Sequence, residues 1–467
     1  MRIQYLVILL FFFTERIQAQ MHWEKVSDDI FNRAIYELHS DSISNRLYIG
    51  GNFRFFGNRE FNGVAQWDGN GMDSMNCGLG GCTSVSCGGV RKFERLGNSI
   101  YADFIEDSIG CMNVHHIAKW NGVTWASLNQ QFFQGGHSIT LYDLYLMDSV
   151  LIIAGGFDSI NNLQVQGVVK FNGFQWSSVF SCPLFNYNHL LVHPFGEYHN
   201  EIYAQNQLQD TTGNYQIFSK WNGQCWEKIP GAFSNLNSSI EKMIVYKDEL
   251  YIAGIFNWHT DLASPGNGIA KWDGHNWSDV AGGVTQGNNF YPAEVKDMEI
   301  YHGDLYVVGY FDKAGNIPAS NIAKWDGHRW CTFDSHFDNT IFSIATYHDS
   351  LFIGGGWWNI DSDSISFLAK CLPGLSGDTC GPANLVMDFL SEEIAIYPNP
   401  ANNSLFVVGQ NNDLRRVIVR NALSQEITTA EIKSIKFEIS TGNLSPGLYF
   451  LEMETTNGKL VRKFVKE

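Results

Sequence analysis

The residues best equipped for chemistry lie in irregular stretches of the chain. Asp361 and Asp363, in "DSDS", set two carboxylates two positions apart. That is the start of a calcium loop without its full ladder of oxygen ligands. His115 and His116 are adjacent, and neighbouring positions on a strand face opposite ways, so they make a poor metal pair. Cys77, Cys82 and Cys87 stand five apart, with Cys111 as a further partner, and lack the CxxC-type pair that zinc favours. No GxSxG, HExxH, GxxxxGK[ST] or helix-opening GxGxxG occurs, so no catalytic residue, metal or cofactor is assigned.

Recognition is the chemistry that remains. Aromatic rings beside Asp, Asn and Arg suit a glycan or peptide, because flat rings offer apolar area while polar groups fix orientation. The candidate ligand-binding residues are Arg54, Phe55 and Phe56; Trp258, His259 and Tyr291; and Asp312, Trp358 and Asp361. Two functions fit them. One is a non-catalytic module that binds a glycan, a peptide or a surface protein. The other is a polysaccharide-active enzyme, a lyase or hydrolase, with His259 or Tyr291 as its reacting group.

The elements that must position these residues are written as a repeat. "VAQWDG", "IAKWNG", "VVKFNG", "FSKWNG", "IAKWDG" and "IAKWDG" end on Trp67, Trp120, Phe171, Trp221, Trp272 and Trp325 plus an Asx-Gly step, and "LAKCLPG" puts Cys371 in the seventh place. Successive steps are 53, 51, 50, 51, 53 and 46 residues, a propeller or solenoid period. Upstream of most copies stands a second phrase, such as "LYIGGNF" from Leu47 or "LYVVGYF" from Leu305, and before that an alternating stretch such as "VKDMEIY". Each unit therefore offers four short strands, A to D, the content of a propeller blade. The glycine of the second phrase marks a place where strand B bends or admits another backbone.

Asx-Gly between strands C and D reads as a two-residue type I′ hairpin. That register sets Trp272 opposite His275 and Ala270 opposite Trp277, with both indoles on one face. Recurrence at fixed spacing makes these rings packing between units. The A–B and C–D turns are short, so the longer B–C and D–A connections occupy the opposite rim, where the candidate residues fall. The seventh unit lacks strand D, and the early segment around Trp23 has the look of one. Pairing the two closes a seven-bladed ring and removes both open edges.

Small residues ending strand B, an aromatic on C and Trp on D make the repeat resemble kelch and galactose-oxidase-like propellers. It departs from them by Trp on strand C and by the tight Asx-Gly turn. The resemblance implies an all-β fold over residues 20–375 and no particular reaction.

Composition changes after Cys380, and residues 376–393 read as a linker. From Ile394, "YPNP" at Tyr397 to Pro400, the Gly447–Leu448–Tyr449 step and the "KFVK" ending resemble the C-terminal sorting domain of the type IX secretion system. The resemblance implies a small Ig-like β-sandwich over 394–467 that partners the secretion machinery. Ser424 departs from the glycine usual in that family's turn. At the other end, Arg2, an apolar run from Tyr5 to Phe13 and Ala19 lay out a secretory signal over residues 1–19. No later stretch is long and apolar enough to be a transmembrane anchor. The expected location is secreted or on the outer cell surface.

In that setting the nine cysteines can oxidise, and Cys371 and Cys380, bracketing a Gly/Pro loop, are the candidate disulfide. A formal charge of −17 with no basic stripe argues against nucleic acid as a partner.

Overall fold

The computed structural model describes residues 23–76, 89–104, 108–109, 112–113, 116–128, 130–133, 139–165, 167–178, 195–209, 215–222, 226–229, 238–256, 266–287, 292–333, 335–371, 378–380, 394–397, 401–409, 414–421, 426–431, 436–455 and 458–466. The proposed signal, Trp258, His259, Tyr291, His115 and the cysteines at 77, 82, 87 and 111 lie outside them. The chain divides into two compact units, Met1–Ala383 and Asn384–Glu467. Every regular element among the described residues is a strand.

In the first unit the repeat becomes seven antiparallel sheets in chain order. Their A strands are Ile35–Asp41, Val90–Leu96, Leu141–Met147, Phe195–Tyr198, Ser239–Tyr246, Glu294–Tyr301 and Ile341–Tyr347, for sheets 1 to 7. Sheet 5 is typical, continuing through Glu249–Ile255 and Ile269–Trp272 to Trp277–Asp279. In sheet 7 the outermost strand is Trp23–Lys25, with Trp23 opposite Cys371 and Lys25 opposite Ala369.

Apolar packing joins each sheet to the next. Tyr246 and Tyr251 of sheet 5 share a core with Leu305, Val307 and Trp325 of sheet 6. Tyr301 and Tyr306 of sheet 6 share one with Ile344 and Ile353 of sheet 7. Another core unites Ala345, Tyr347 and Phe352 of sheet 7 with Leu38, Leu47 and Ile49 of sheet 1.

The C–D hairpin corrects the expected register. Trp272 stands directly opposite Trp277, and Ala270 opposite Asp279. Four residues, not two, make the turn, because the Asp273 carboxylate accepts the amides of both His275 (2.7 Å) and Asn276 (2.6 Å). Gly274 alone among the turn's residues takes positive φ, at 94°. The same closure recurs at Asp68, Asn121, Asn172 and Asp326. It brings the ring pairs Trp120–Trp125, Phe171–Trp176, Trp272–Trp277 and Trp325–Trp330 to centroid distances of 5.4, 4.5, 4.9 and 5.3 Å. Outer indoles also reach back to the preceding sheet, Trp330 Nε1 donating to the Val280 carbonyl at 2.8 Å and Trp125 Nε1 to that of Met75 at 3.1 Å.

Type I′ geometry belongs instead to A–B turns, with positive φ at Lys247 and Asp248, His302 and Gly303, and His348 and Asp349. These turns hold the sheets together. Tyr198, Tyr246, Tyr301 and Tyr347 end their A strands and donate their hydroxyls to the carbonyls of Asp248, Gly303, Asp349 and Asn45 in the following sheet's turn. His199, His302 and His348 stack on the neighbouring tyrosine at 4.0, 4.1 and 4.0 Å. Their Nε2 atoms bond Asp248, Asp349 and Asn45.

The cysteine pairing is also corrected. Cys371 is a buried thiol packed beside Trp23, not half of a bridge to Cys380. Because Trp23–Lys25 already occupies the edge of sheet 7, Asp378–Cys380 adds itself to sheet 6 as a fifth strand. There Cys380 stands opposite Cys331, and Cys331 is disulfide-bonded.

The second unit contains two antiparallel sheets. One has Ile394–Tyr397, Ser404–Gly409 and Lys436–Ser440; the other has Glu426–Glu431, Leu414–Asn421, Gly447–Thr455 and Gly458–Lys466. Leu405, Val407 and Ile439 from the first and Val417, Leu451, Met453 and Phe464 from the second form one core.

Candidate functional site

The long connections are more ordered than their composition announces. Among the described residues a D–A segment lies against the following B–C hairpin in four places, as a further strand where Phe132–Phe133 pairs Ser159–Ile160 and Val284–Thr285 pairs Lys313–Ala314, and through a single bridge where Phe31 meets Phe56 and Phe337 meets Ile360. Most of the expected ligand-binding residues build this second tier. Phe56 is buried against Phe31, ring centroids 4.8 Å apart. Arg54 lies over the Phe55 ring and bonds Glu60 at 2.9 Å. Asp312 accepts the Gly287 amide at 2.8 Å, and Asp361 the His336 amide at 2.7 Å, each fastening a D–A segment to its hairpin.

Trp358 differs from these, its residue 56% exposed and its ring edge against Phe367. The described candidates sit on sheets 1, 6 and 7 and do not converge on one place.

Convergence occurs on the A strands. Six of them carry a β-bulge near their start, and the extra residues are Tyr36, Arg91, Tyr142, Glu241, Lys296 and Phe342. All six line one cavity of about 350 Å³, together with Glu37, Lys92, Leu141, Asp143 and Asp297. A bulge releases a residue from the ladder and re-aims its side chain, and six in register aim six side chains inward. The glycine of strand B permits it. A Cβ on Gly309 would come 2.0 Å from the Glu294 carbonyl oxygen, and one on Gly254 2.0 Å from that of Ser239. Since the bulges follow the D–A segments directly, the cavity lies toward the rim of long connections.

Beside the bulge layer lies a band of ion pairs. Lys242 Nζ meets Asp297 at 2.7 Å, and Asp297 also accepts the Ser343 hydroxyl and the Ile344 amide. Burial alone would push Asp297 up, but Lys242 and Lys92 outweigh it and hold the carboxyl below its usual value. Ser343 Oγ accepts the Leu38 amide, so sheets 1, 7, 6 and 5 are joined through one polar chain. Arg91 pairs with Asp103 at 3.2 Å, and Lys296 with Glu294 at 2.5 Å.

Glu37 is paired more loosely, with Lys92. Its residue is 9% exposed and its carboxylate accepts no hydrogen bond among the described residues. Lys92 Nζ is 3.6 Å away, too far to donate. Burial therefore prevails over that charge and pushes Glu37 up to about 7. In the cavity wall, Tyr36 and Phe342 meet edge to face at 5.5 Å.

This site was missed because a strand position says nothing of what surrounds it. The available signal was the recurrence of a charged residue, Glu37, Lys92, Asp143, Lys242 and Asp297, at matching positions of the A strands.

Residues 395–467 match the family described as the secretion system C-terminal sorting domain. That tail marks the chain for the type IX machinery and for export to the cell surface or the medium. No curated protein matches the chain.

Among solved structures it is similar to PorZ, an essential bacterial surface component of the type IX secretion system of Porphyromonas gingivalis, at 10% identity and a TM-score of 0.38. That alignment covers 93% of this chain, which spans 66% of the PorZ chain. The extracellular domain of a hybrid two-component system from B. thetaiotaomicron aligns at 11% identity and TM-score 0.25, over 93% of this chain and 74% of that one. GH43B of the Bacteroides ovatus xyloglucan PUL aligns at 13% and 0.29, over 80% and 89%. At these scores the likenesses carry no argument about this chain.

Proposed function

We propose that the first unit is a seven-bladed, kelch-like propeller closed by Trp23–Lys25, exported as a non-catalytic binding module for a glycan, a peptide or a surface protein. Seven sheets in chain order, with apolar cores uniting sheet 7 to both sheet 6 and sheet 1, support the architecture. The observation that carries the function is the cavity, where bulges place aromatic and charged side chains from six sheets around one space.

Arg91, Lys296 and Asp297 are each engaged by a partner of opposite charge, an arrangement suited to a fixed recognition surface. The ligand reaches it from the rim of long connections. A polysaccharide-active enzyme is the second reading, favoured by Glu37 alone, whose value of about 7 suits a general acid.

Glycan and peptide arrays probed with the full chain, beside Tyr36→Ala and Phe342→Ala, test the first reading. Binding weakened by both substitutions supports the cavity, and binding indifferent to both rejects it. Release of product from a polysaccharide, lost in Glu37→Gln, replaces the first reading with the second.

A further inference from the structure

The charges in and beside the cavity come as acid–base couples. Arg91 meets Asp103 at 3.2 Å, Lys296 meets Glu294 at 2.5 Å, Lys242 meets Asp297 at 2.7 Å and Lys92 meets Glu37 at 3.6 Å. Both signs line the space, Arg91, Lys92 and Lys296 sharing the wall with Glu37, Asp143, Glu241 and Asp297. A charged ligand of either sign therefore meets groups of its own sign. To pair with one member of a couple it must also displace the other and leave that charge uncompensated. A hydroxyl group has no such conflict. It accepts from the base and donates to the acid, so it adds to a couple without breaking it. The basic members are within reach, since Arg91, Lys92 and Lys296 keep 26–28% of their side chains exposed.

The rest of the wall is largely aromatic. Tyr36, Tyr142 and Phe342 are bulge residues of sheets 1, 3 and 7. The Tyr36 ring is held between Phe342 and Gly89, where a Cβ would come 2.7 Å from the ring carbons. Phe342 rests in turn on Gly356, whose Cβ would lie 3.3 Å from its Cε2. Rings fixed in this way give a rigid apolar face at little cost in entropy. Size narrows the occupant further. A space of about 350 Å³ is at the small end of ligand pockets and suits a single sugar ring. A protein partner needs roughly 800 Å² of surface per side, which a recess of this size does not supply. Peptides are held chiefly through backbone ladders or apolar grooves, whereas this wall presents acidic and basic side chains.

Resting on the binding reading above, we propose that the cavity takes one uncharged pyranose ring of a glycan, its hydroxyls bridging the acid–base couples and its C–H face against Tyr36 and Phe342. A carboxylate added to that sugar falls beside Asp143 and Glu241, and an ammonium beside Arg91 and Lys92. Either change weakens binding.

The test ranks binding of the full chain at pH 7 on one array. It carries oligosaccharides of glucose, galactose, mannose, xylose and N-acetylglucosamine, beside oligosaccharides of uronic acids and of glucosamine, and peptides. Calorimetry then compares the best uncharged glycan with its uronic-acid and free-amine forms. The uncharged glycan is expected to bind, with both charged forms at least about tenfold weaker. Tyr36→Ala is expected to weaken it. Glu241→Gln keeps the side chain's shape and removes its charge, so it is expected to narrow the gap to the acid form while leaving a cooperative melt. A charged glycan that binds more tightly than its uncharged parent, and loses that binding in Tyr36→Ala, overturns the uncharged ring and leaves the cavity its binding role. Peptides that bind where no glycan does, again dependent on Tyr36, overturn the sugar in favour of a peptide. An array indifferent to both Tyr36→Ala and Phe342→Ala overturns both readings.

Discussion

The hydroxyl of Tyr347 donates to the backbone carbonyl of Asn45 across 3.2 Å, although 302 positions separate them. His348, stacked on that tyrosine, bonds the Asn45 side chain at 2.6 Å. The same clasp joins sheet 4 to 5, 5 to 6 and 6 to 7 through Tyr198, Tyr246 and Tyr301, so the contact between sheets 7 and 1 is one member of a series. Tyr347→Phe keeps the ring and removes the donor. The expected loss is about 1 kcal/mol, read as a lower urea midpoint, and an unchanged midpoint contradicts the clasp.

Gly309→Ala must place a methyl group 2.0 Å from the Glu294 carbonyl oxygen, so the bulge that aims Lys296 has to shift. The expected cost is about 1–3 kcal/mol. Gly71→Ala, where nothing lies within 4 Å, is the matched control and is expected to be close to neutral. Equal stability of the two variants in denaturant titrations counts against the bulge.

Trp357 and Trp358 are neighbours with opposite surroundings, at 0% and 56% exposure. Trp357 Nε1 donates to the Ile365 carbonyl at 2.9 Å within the core of sheet 7's long hairpin. Trp357→Ala is expected to cost about 3–5 kcal/mol, and Trp358→Ala less than about 0.5 kcal/mol. Comparable losses at both positions refute this division.

Glu37 titrates in the folded chain at about 7, above the ordinary 4.5, because burial penalises its charge more than Lys92 favours it. Between those values the folded state keeps a proton that the unfolded state has released. Stability therefore falls as pH rises from about 4.5 to 7 and levels off beyond, by an amount on the order of 3 kcal/mol. Lys242, Asp297 and Asp143 also act on Glu37, and none reverses the sign. Denaturation curves of Glu37→Gln across this window should be flatter than those of the parent, and curves that superimpose contradict the assignment.

Iodoacetamide added to the unfolded chain without reductant should label Cys371 and spare Cys331. Mass spectrometry of the peptides reads the result, and labelling of Cys331 contradicts its bond.

Much of the first unit was legible in the chain itself. The repeat, four strands to a unit and the need for glycine on strand B all follow from spacing and residue type, and the bulge carbonyl facing Gly309 is the close approach that strand B's glycine implied. The C–D register was not legible, since an Asx-Gly dipeptide is compatible with both turn lengths. Only the reach of the Asp273 carboxylate to two amides selects the longer one.

The candidate site was misplaced for a related reason. Asp312 and Asp361 have the residue types of ligand contacts, yet their oxygens serve backbone amides of the incoming segment. Glu37 and Lys92 look like ordinary polar positions until strands more than 50 residues apart are set side by side.

The ladder between Trp23–Lys25 and Leu368–Cys371 also imposes a schedule. A polypeptide made from its amino end must leave Trp23 waiting while six sheets are synthesised, and a product truncated before Leu368 has nowhere to put it. Completion then comes as one late event, and until it happens the growing molecule shows raw strand edges to every other unfinished copy nearby.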